Sequence, residues 1–209
     1  MPEPLRVVVF GTESTGKTAL AGALARRFDE PWSPEFVRGF WEARGGRVSA
    51  ADLDTIARGQ IAAEESAAVA ARRMVFLDTD LLTCTLWNDL LYPGACPAWV
   101  RAEAEARARR CSLYLLCDAD VPFAPDPQRC FPEPEARERA RVLWREALIS
   151  RRLPGWISAA GGPCGRKRPW PRWRCCCVCG GRDPRRAGAA FRVLSRPLPR
   201  PPRDVRSPP

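Results

Sequence analysis

The chain of 209 residues contains no histidine, which excludes imidazole chemistry and leaves carboxylates as the available general bases. No apolar run approaches the roughly 20 residues that a membrane-spanning helix needs. The residues before Leu5 also lack the charged and apolar regions of a signal peptide. We therefore expect a cytoplasmic protein with no membrane partner.

The net charge of +10 is distributed unevenly along the chain. The segment from residue 155 onward holds 13 of the 34 basic residues and only 2 of the 24 acidic ones, so the rest of the chain is nearly neutral. Cysteines before residue 155 occur singly, as reduced buried thiols do. We predict a globular domain over residues 1–154 and a Pro/Arg/Cys-rich tail over residues 155–209 that is disordered.

Three interpretations of this tail remain open. Its mixture of Arg, Pro, Gly, Cys and Trp is what GC-rich DNA encodes out of frame, so a frame-shifted end is our first hypothesis. A basic arm that binds nucleic acid or anionic surfaces is the second. A zinc site is the third, with Cys176 and Cys179 as one half-site that has no second pair at suitable spacing.

A phosphate-binding loop follows the first predicted strand. Residues 11–18 fit the pattern G-x-x-x-x-G-K-[ST], between an apolar run at residues 5–10 and a helical pattern at residues 19–28. The loop amides and the helix N-terminus are expected to bind the phosphates of ATP. The candidate nucleotide-binding residues are Gly11, Thr12, Glu13, Ser14, Thr15, Gly16, Lys17 and Thr18. Lys17 would reach the β- and γ-phosphates, and the Thr18 hydroxyl would ligate Mg²⁺.

Two carboxylates follow a second apolar run at residues 74–77. A strand that ends in aspartate downstream of such a loop has the Walker B arrangement, so we assign Asp78 to the magnesium region. Asp80 lies two residues on and would share a side with Asp78 if the strand stayed extended. We interpret Asp80 as a general base or a ligand of the substrate hydroxyl. One of the two is also expected to cap the next helix.

Further candidates lie in three other segments. Glu35 and Arg38 belong to residues 31–41, an irregular, aromatic-rich stretch that forms either a core loop or a pocket wall. Gln60 lies on the apolar face of a helix that a Ser49–Asp52 capping box begins, where it either contacts substrate or bonds a helix end. Arg129 follows a proline-rich stretch and is either a lid arginine or a solvated surface residue.

Together these features predict an α/β P-loop NTPase fold, with a parallel sheet flanked by helices and a lid segment. The Asn-Lys-x-Asp motif of GTPases and the Ser-Gly-Gly signature of transport ATPases are both absent. A P-loop kinase for a small molecule is therefore the favoured class. A nucleotide-binding regulatory ATPase without such activity is the alternative.

The motifs resemble the ribosylnicotinamide kinase domain of NadR-type proteins over roughly residues 5–153. The similarity includes Pro34-Glu35-Phe36-x-Arg38, Gly59-Gln60, Asp78-Thr79-Asp80, and Asp120-Val121-Pro122-Phe123 followed by Asp126 and Arg129. NadR proteins usually carry an adenylyltransferase domain before the kinase, and none fits before Leu5, so we expect a stand-alone kinase. Two lid positions depart from the usual motif, because Phe123 replaces a tryptophan and Pro127 replaces a glycine.

The resemblance implies phosphoryl transfer from ATP with Mg²⁺ to the 5′-hydroxyl of nicotinamide riboside. The small-molecule substrate would be bound by Glu35, Arg38, Gln60 and Asp80. Lys17 and Arg129 would stabilise charge on the phosphates, and Glu35 or Asp80 would accept the hydroxyl proton. A kinase for another nucleoside or small alcohol is the alternative. Nucleic acid is not expected as a partner, except through the basic tail.

Overall fold

The computed structural model describes residues 3–117, 130–131, 133–158 and 173–174. The helices and strands alternate along most of the chain. In chain order they are β1 (Leu5–Phe10), α1 (Lys17–Phe28), β2 (Trp32–Ser33), α2 (Phe36–Ala43), a 3₁₀ turn (Ala50–Asp52), α3 (Leu53–Ala70), β3 (Met74–Asp78), α4 (Leu81–Leu91), α5 (Ala98–Arg110), β4 (Leu113–Leu116), α6 (Pro134–Ser150), β5 (Gly155–Ser158) and β6 (Trp173–Arg174).

The sheet has the strand order β2-β3-β1-β4-β5-β6. The five strands from β2 to β5 are mutually parallel, as the sequence predicts, whereas β6 pairs antiparallel with β5 at the edge. Strand β5 lies beyond the domain boundary predicted at residue 154, and its parallel pairing with β4 continues the sheet past that point. An antiparallel edge strand on an otherwise parallel sheet is common in α/β folds.

Side chains of the central strands alternate between two hydrophobic cores. Val7 and Val9 pack with Leu24 of α1 on one face of the sheet. Val8 and Phe10 pack on the other face, in a cluster with residues of α4, α5 and α6. Because successive side chains of a strand point to opposite faces, this continuous apolar run is buried on both sides. Helices therefore flank both faces of the sheet, which confirms the predicted architecture.

The topology brings the ends of β1 and β3 together. These neighbouring strands pair in parallel with Val9 opposite Asp78, so both chains leave the sheet at the same edge. The connection after β1 contains α1 and leads to β2, whereas the connection after β3 leads through α4 and α5 to β4 on the other side of β1. Ligands of open α/β sheets bind at such a switch point.

Residues 31–41 differ from the irregular stretch that the sequence predicts. Trp32–Ser33 forms the edge strand β2, and Phe36–Ala43 forms the helix α2 despite Gly39 in its interior. Contacts from α3 hold this helix, as described below, and such contacts override the low helix propensity of glycine. The predicted Ser49–Asp52 capping box is confirmed. Among the described residues, no helix is long and apolar enough to cross a membrane.

Candidate active site

The phosphate-binding loop links β1 to α1 through backbone conformations that favour glycine. Gly11 has a φ of 146°, and Gly16, the residue before α1, has a φ of 78°. A Cβ at Gly11 would lie 2.9 Å from the carbonyl oxygen of Cys117, so a larger residue would clash with the backbone after β4. The loop is thus wedged between two strand ends, with the N-terminus of α1 at its exit.

Thr12 organises the interior of the loop through its carbonyl oxygen. This oxygen accepts hydrogen bonds from the Thr15 hydroxyl at 2.9 Å and from Lys17 Nζ at 2.6 Å. The ammonium group of Lys17 therefore lies over the concave side of the loop. An anion that binds the loop amides would meet this positive charge.

The Glu13 side chain turns away from this arrangement. Its carboxylate accepts hydrogen bonds from the backbone N–H groups of Cys130 at 2.9 Å and Phe131 at 2.6 Å. The Phe131 ring stacks on Trp87 of α4, with 5.6 Å between ring centroids. Among the loop residues predicted to bind nucleotide, Glu13 thus ties the loop to the chain segment that precedes α6.

Asp78 lies at the end of β3, next to Thr18. Burial raises the pKa of the Asp78 carboxyl, while a hydrogen bond with Thr18 and the positive charges of Lys17 and Arg38 act in the opposite direction. The side chain is 1% exposed, and its Oδ1 has no hydrogen-bond partner among the described residues. A buried oxygen without a partner beside a threonine hydroxyl suits a magnesium ion or its water shell. The residues present therefore fit the predicted metal.

Thr79 changes the direction of the chain between the two aspartates. Its φ is 68°, in the left-handed region that β-branched residues rarely adopt. Its hydroxyl is buried and has no partner among the described residues. The expectation that Asp78 and Asp80 share a side is wrong, because this turn ends the extended conformation. Strain of this kind is concentrated at functional sites.

Asp80 is buried on the far side of this turn, where it caps α4. Its Oδ1 accepts hydrogen bonds from the Thr83 N–H at 3.0 Å and the Thr83 hydroxyl at 3.1 Å, and its Oδ2 accepts one from the Tyr114 hydroxyl at 2.7 Å. The helix-capping alternative considered for one of the two aspartates therefore applies to Asp80. Only 4% of the Asp80 surface is exposed, and both carboxylate oxygens accept hydrogen bonds from the protein.

Glu35 lies with Lys17 and Asp78 at the edge where β1 and β3 end. Burial raises the pKa of the Glu35 carboxyl, the charge of Lys17 lowers it, Asp78 raises it again, and Arg38 lowers it. These interactions show that the four charged side chains form one electrostatic cluster. A carboxylate with a raised pKa beside a phosphate-binding loop is suited to accept a proton.

Gln60 is buried between α2 and α3, with 1% of its surface exposed. Its Oε1 accepts a hydrogen bond from the Phe36 N–H at 3.0 Å, and its Nε2 donates one to Glu64 Oε1 at 3.2 Å. Glu64 Oε2 in turn accepts from Nε and Nη2 of Arg107, at 3.2 and 3.0 Å. We call this series, Arg107, Glu64, Gln60 and the Phe36 N–H, the Gln60 chain. The helix-end alternative for Gln60 is the arrangement that the structure shows.

The predicted site residues thus divide into three groups. The loop residues, Glu35, Arg38 and Asp78 come together at one edge of the sheet, whereas Asp80 and Gln60 lie buried beneath it. Arg129, Asp120, Phe123 and Asp126 lie outside the described residues, as does most of the predicted tail. Among the described residues, no group of three or more His, Cys, Asp or Glu side chains could hold a metal ion by itself.

A cleft of about 560 Å³ lies at the opposite end of α1. It is lined by residues that include Arg26, Asp29, Trp32 and Arg72. A hydrogen bond from Arg72 lowers the pKa of Asp29, so this carboxyl is an ordinary surface ion-pair partner. The charge cluster at the phosphate-binding loop, and not this cleft, carries the features of an active site.

The comparison with known families agrees with this geometry. A family model described as an AAA domain matches residues 6–162, which include the loop, Glu35, Asp78 and β5. The chain belongs to this AAA-domain family. The predicted P-loop fold is thereby confirmed, and the loop of this AAA domain is of the nucleotide-binding type. No curated protein matches the chain.

Two solved structures of NadR protein resemble this AAA domain. One was solved in complex with NAD and AMP-PNP and the other in complex with NR, and both align with a TM-score of 0.57 and 25% sequence identity. The alignments cover 76% of this chain, but only 45% and 46% of the two NadR chains. The chain thus spans about half the length of these NadR proteins, and the resemblance to the NadR type is confirmed.

Sequence reasoning missed the partners that distinguish these polar residues from one another. Thr79 was visible only as the residue between two acids, and nothing in the sequence signals its positive φ. Arg107 was part of a charged helix, although it is 9% exposed and faces Glu64. The one available signal was Glu64, a carboxylate beside an apolar helical stripe, since such a group needs a buried partner.

Proposed function

We propose that this AAA domain transfers the γ-phosphoryl group of ATP to the 5′-hydroxyl of nicotinamide riboside. The observation that carries the proposal is the cluster of Lys17, Glu35 and Asp78 at the shared edge of β1 and β3. Such a cluster combines a phosphate-binding loop, a metal-region carboxylate and a second carboxylate with a raised pKa. The similarity to NadR structures solved with AMP-PNP and with NR supports this choice of substrates.

The loop amides and Lys17 would bind the β- and γ-phosphates, and Arg129 is proposed as a further source of positive charge on the transferred group. Thr18 and Asp78 would hold Mg²⁺, which when bound neutralises charge on the phosphate oxygens. The contribution of this chain is positioning and electrostatic stabilisation. We propose that the kinase domain comprises the predicted residues 1–154 and also β5, which continues its sheet.

Glu35 is the proposed general base. In the reaction, the substrate oxygen forms a bond to the γ-phosphorus, the bond from that phosphorus to the β–γ bridging oxygen breaks, and the hydroxyl proton passes to the Glu35 carboxylate. Asp80 was the other candidate, but both of its oxygens already accept hydrogen bonds inside the protein. Arg38 lies close enough to affect the Glu35 carboxyl and is proposed to bind substrate at the same edge.

A nucleoside panel tests this function. Purified protein is incubated with ATP, Mg²⁺ and one nucleoside at a time, and ADP release and the phosphorylated product are measured. We expect nicotinamide riboside to give the highest kcat/KM, and Lys17→Ala to abolish transfer while the fold is retained. Preference for another nucleoside would replace the proposed substrate, and ADP release that no nucleoside stimulates would favour a regulatory ATPase. Full transfer by Lys17→Ala would refute the mechanism.

A further inference from the structure

The Gln60 chain ends at the backbone of the residue that follows Glu35. Phe36 is the first residue of α2, and its N–H is one of the donors that a helix start leaves without an intrahelical partner. The side chain of the residue before a helix usually accepts a hydrogen bond from the second or third N–H of the helix, so it leaves this first N–H without a partner. Here the Glu35 carboxylate makes no capping hydrogen bond to the first turn of α2, which lies entirely in the described range. The Phe36 N–H itself donates to Gln60 of α3.

The direction of every bond in the chain is fixed by the groups at its two ends. The Phe36 N–H can only donate, so the oxygen of the Gln60 amide must face it. The amide nitrogen then faces Glu64, whose carboxylate accepts it at 3.2 Å. The second oxygen of Glu64 accepts from the Arg107 guanidinium, which can only donate. A single orientation of the Gln60 amide therefore satisfies both neighbours.

The residue before Gln60 fixes the Phe36 side chain. A Cβ at Gly59 would lie 2.2 Å from Cζ of the Phe36 ring, so the ring occupies the space that any larger residue would need. Phe36 also packs against Phe40, with 6.0 Å between ring centroids. Two consecutive residues of α3 thus hold both the backbone and the ring of Phe36. The start of α2 has little freedom to shift along α3.

We infer that Gln60 is a positioning residue for Glu35, an assignment that rests on the proposed function. Because Gln60 binds the N–H of the peptide that joins Glu35 to Phe36, it fixes the backbone that carries Glu35. The Glu35 carboxylate, which makes no capping hydrogen bond, can face Lys17 and Asp78. Glu64 and Arg107 act one and two steps further back, by fixing the Gln60 amide. None of these three residues touches substrate. Their effect on turnover passes through the position of Glu35.

A double-mutant cycle tests this assignment. Gln60→Met keeps the length of the side chain but removes the acceptor for the Phe36 N–H. We expect kcat to fall by about tenfold to a hundredfold, the range that a small misplacement of a catalytic group produces, while the KM for ATP is unchanged. In a Glu35→Gln background the same substitution should cause no further loss. Equal losses in both backgrounds would overturn the inference.

Two further variants separate positioning from general damage to the fold. Asn88→Leu removes a buried amide of α4 that bonds Cys96 rather than α2, so it should leave kcat unchanged. The double variant Gln60→Glu/Glu64→Gln exchanges the two side chains. The carboxylate at position 60 can accept from the Phe36 N–H, and the amide at position 64 can donate to that carboxylate and accept from Arg107. We expect this pair to recover most of the kcat lost in Gln60→Met. Failure to recover in a folded protein would count against the inference.

Amide hydrogen exchange supplies a readout that needs no turnover. The Phe36 N–H should exchange at least about tenfold faster in Gln60→Met than in the unaltered protein, because its partner is lost. Unchanged protection at Phe36 would overturn the inference. If the unaltered protein phosphorylates no nucleoside but loses protection at Phe36 on substitution, the proposed function fails while the role of Gln60 in fixing the start of α2 stands.

Discussion

Two regions of the molecule differ in whether their buried polar atoms have hydrogen-bond partners. One is the edge where β1 and β3 end, and the other is the Gln60 chain. At the edge, Asp78 Oδ1 and the Thr79 hydroxyl are buried without partners among the described residues. In the Gln60 chain, the Glu64 carboxylate has a protein donor for each oxygen. Buried polar groups in proteins are normally satisfied, so an unsatisfied one next to a phosphate-binding loop is a candidate position for a bound ion or water. This difference agrees with the proposal that the edge binds ligands and that the Gln60 chain holds the protein around it.

The largest expected effect on stability comes from removing the cation of the Gln60 chain, Arg107. Arg107→Leu leaves Glu64 buried without its ion-pair partner, so we expect the free energy of unfolding to fall by about 3–5 kcal/mol. Urea denaturation measures this change. Arg101→Leu on the same helix is the matched control, because its partner Asp89 is exposed and the pair contributes about 0–1 kcal/mol. Equal losses in the free energy of unfolding for the two substitutions would contradict the prediction that the buried ion pair contributes more than the exposed one.

The reverse behaviour is expected at the edge. Asp78→Asn should lower kcat by about 10²–10³-fold, which is the usual effect of losing one electrostatic contact to a transition state. The free energy of unfolding should stay the same or rise, since the substitution replaces a buried carboxyl, whose charged form burial disfavours, by a neutral amide. Steady-state kinetics with ATP and nicotinamide riboside measure kcat, and urea denaturation measures the free energy of unfolding. A clear loss of stability would place Asp78 in the scaffold.

The dependence of stability on pH sharpens the contrast. Burial and the nearby charge of Asp80 raise the pKa of Glu64 to about 7, although Arg107 and Gln60 lower it. A carboxyl with a raised pKa stabilises the folded state while it is protonated, and this contribution is lost as the pH rises. Relative to Glu64→Gln, the free energy of unfolding should therefore fall by about 3 kcal/mol between about pH 4.5 and pH 7. If the free energy of unfolding depended on pH in the same way in the unaltered protein and in Glu64→Gln, the raised pKa of Glu64 would be contradicted.

The smallest effect concerns the second aspartate after β3. Asp80→Ala removes the cap of α4 and the acceptor of the Tyr114 hydroxyl, so we expect the free energy of unfolding to fall by about 2 kcal/mol. Asp80→Asn keeps a capping oxygen and should retain most of the stability and most of kcat. Thermal unfolding and steady-state kinetics measure both variants. A loss of kcat in Asp80→Asn as large as that in Asp78→Asn would return Asp80 to the catalytic group.

The sequence predicts the elements whose signals are local. The loop at residues 11–18, the strand that ends at Asp78 and the Ser49–Asp52 capping box depend on short patterns with one physical explanation each. Hydrophobic periodicity likewise predicts the central strands and the helices on both faces. These features therefore required no knowledge of distant contacts.

The remaining features depend on residues that are far apart in the sequence. The sequence predicts an irregular segment where α2 forms. The helix forms because Gln60 and Gly59 of α3 hold its first residue, and these contacts are not visible in the local sequence. The different environments of Asp78 and Asp80 follow from the backbone turn at Thr79 and from Tyr114 on another strand. Propensity and spacing carry no information about such partners. The sequence therefore allowed a helix-end hydrogen bond to be expected for Gln60, but it did not identify the Phe36 N–H as the partner.

The central position of β1 also bears on the order in which a ribosome could build this domain. Its pairing partners, β3 and β4, emerge long after it, since Val9 lies opposite Asp78 and Leu115. A nascent chain that ends before β4 still lacks the Cys117 carbonyl oxygen against which Gly11 packs. The first motif to be translated is thus among the last to take its final shape. Until then, the apolar β1 segment lacks both of its pairing strands, and exposed apolar segments of this kind are prone to aggregation.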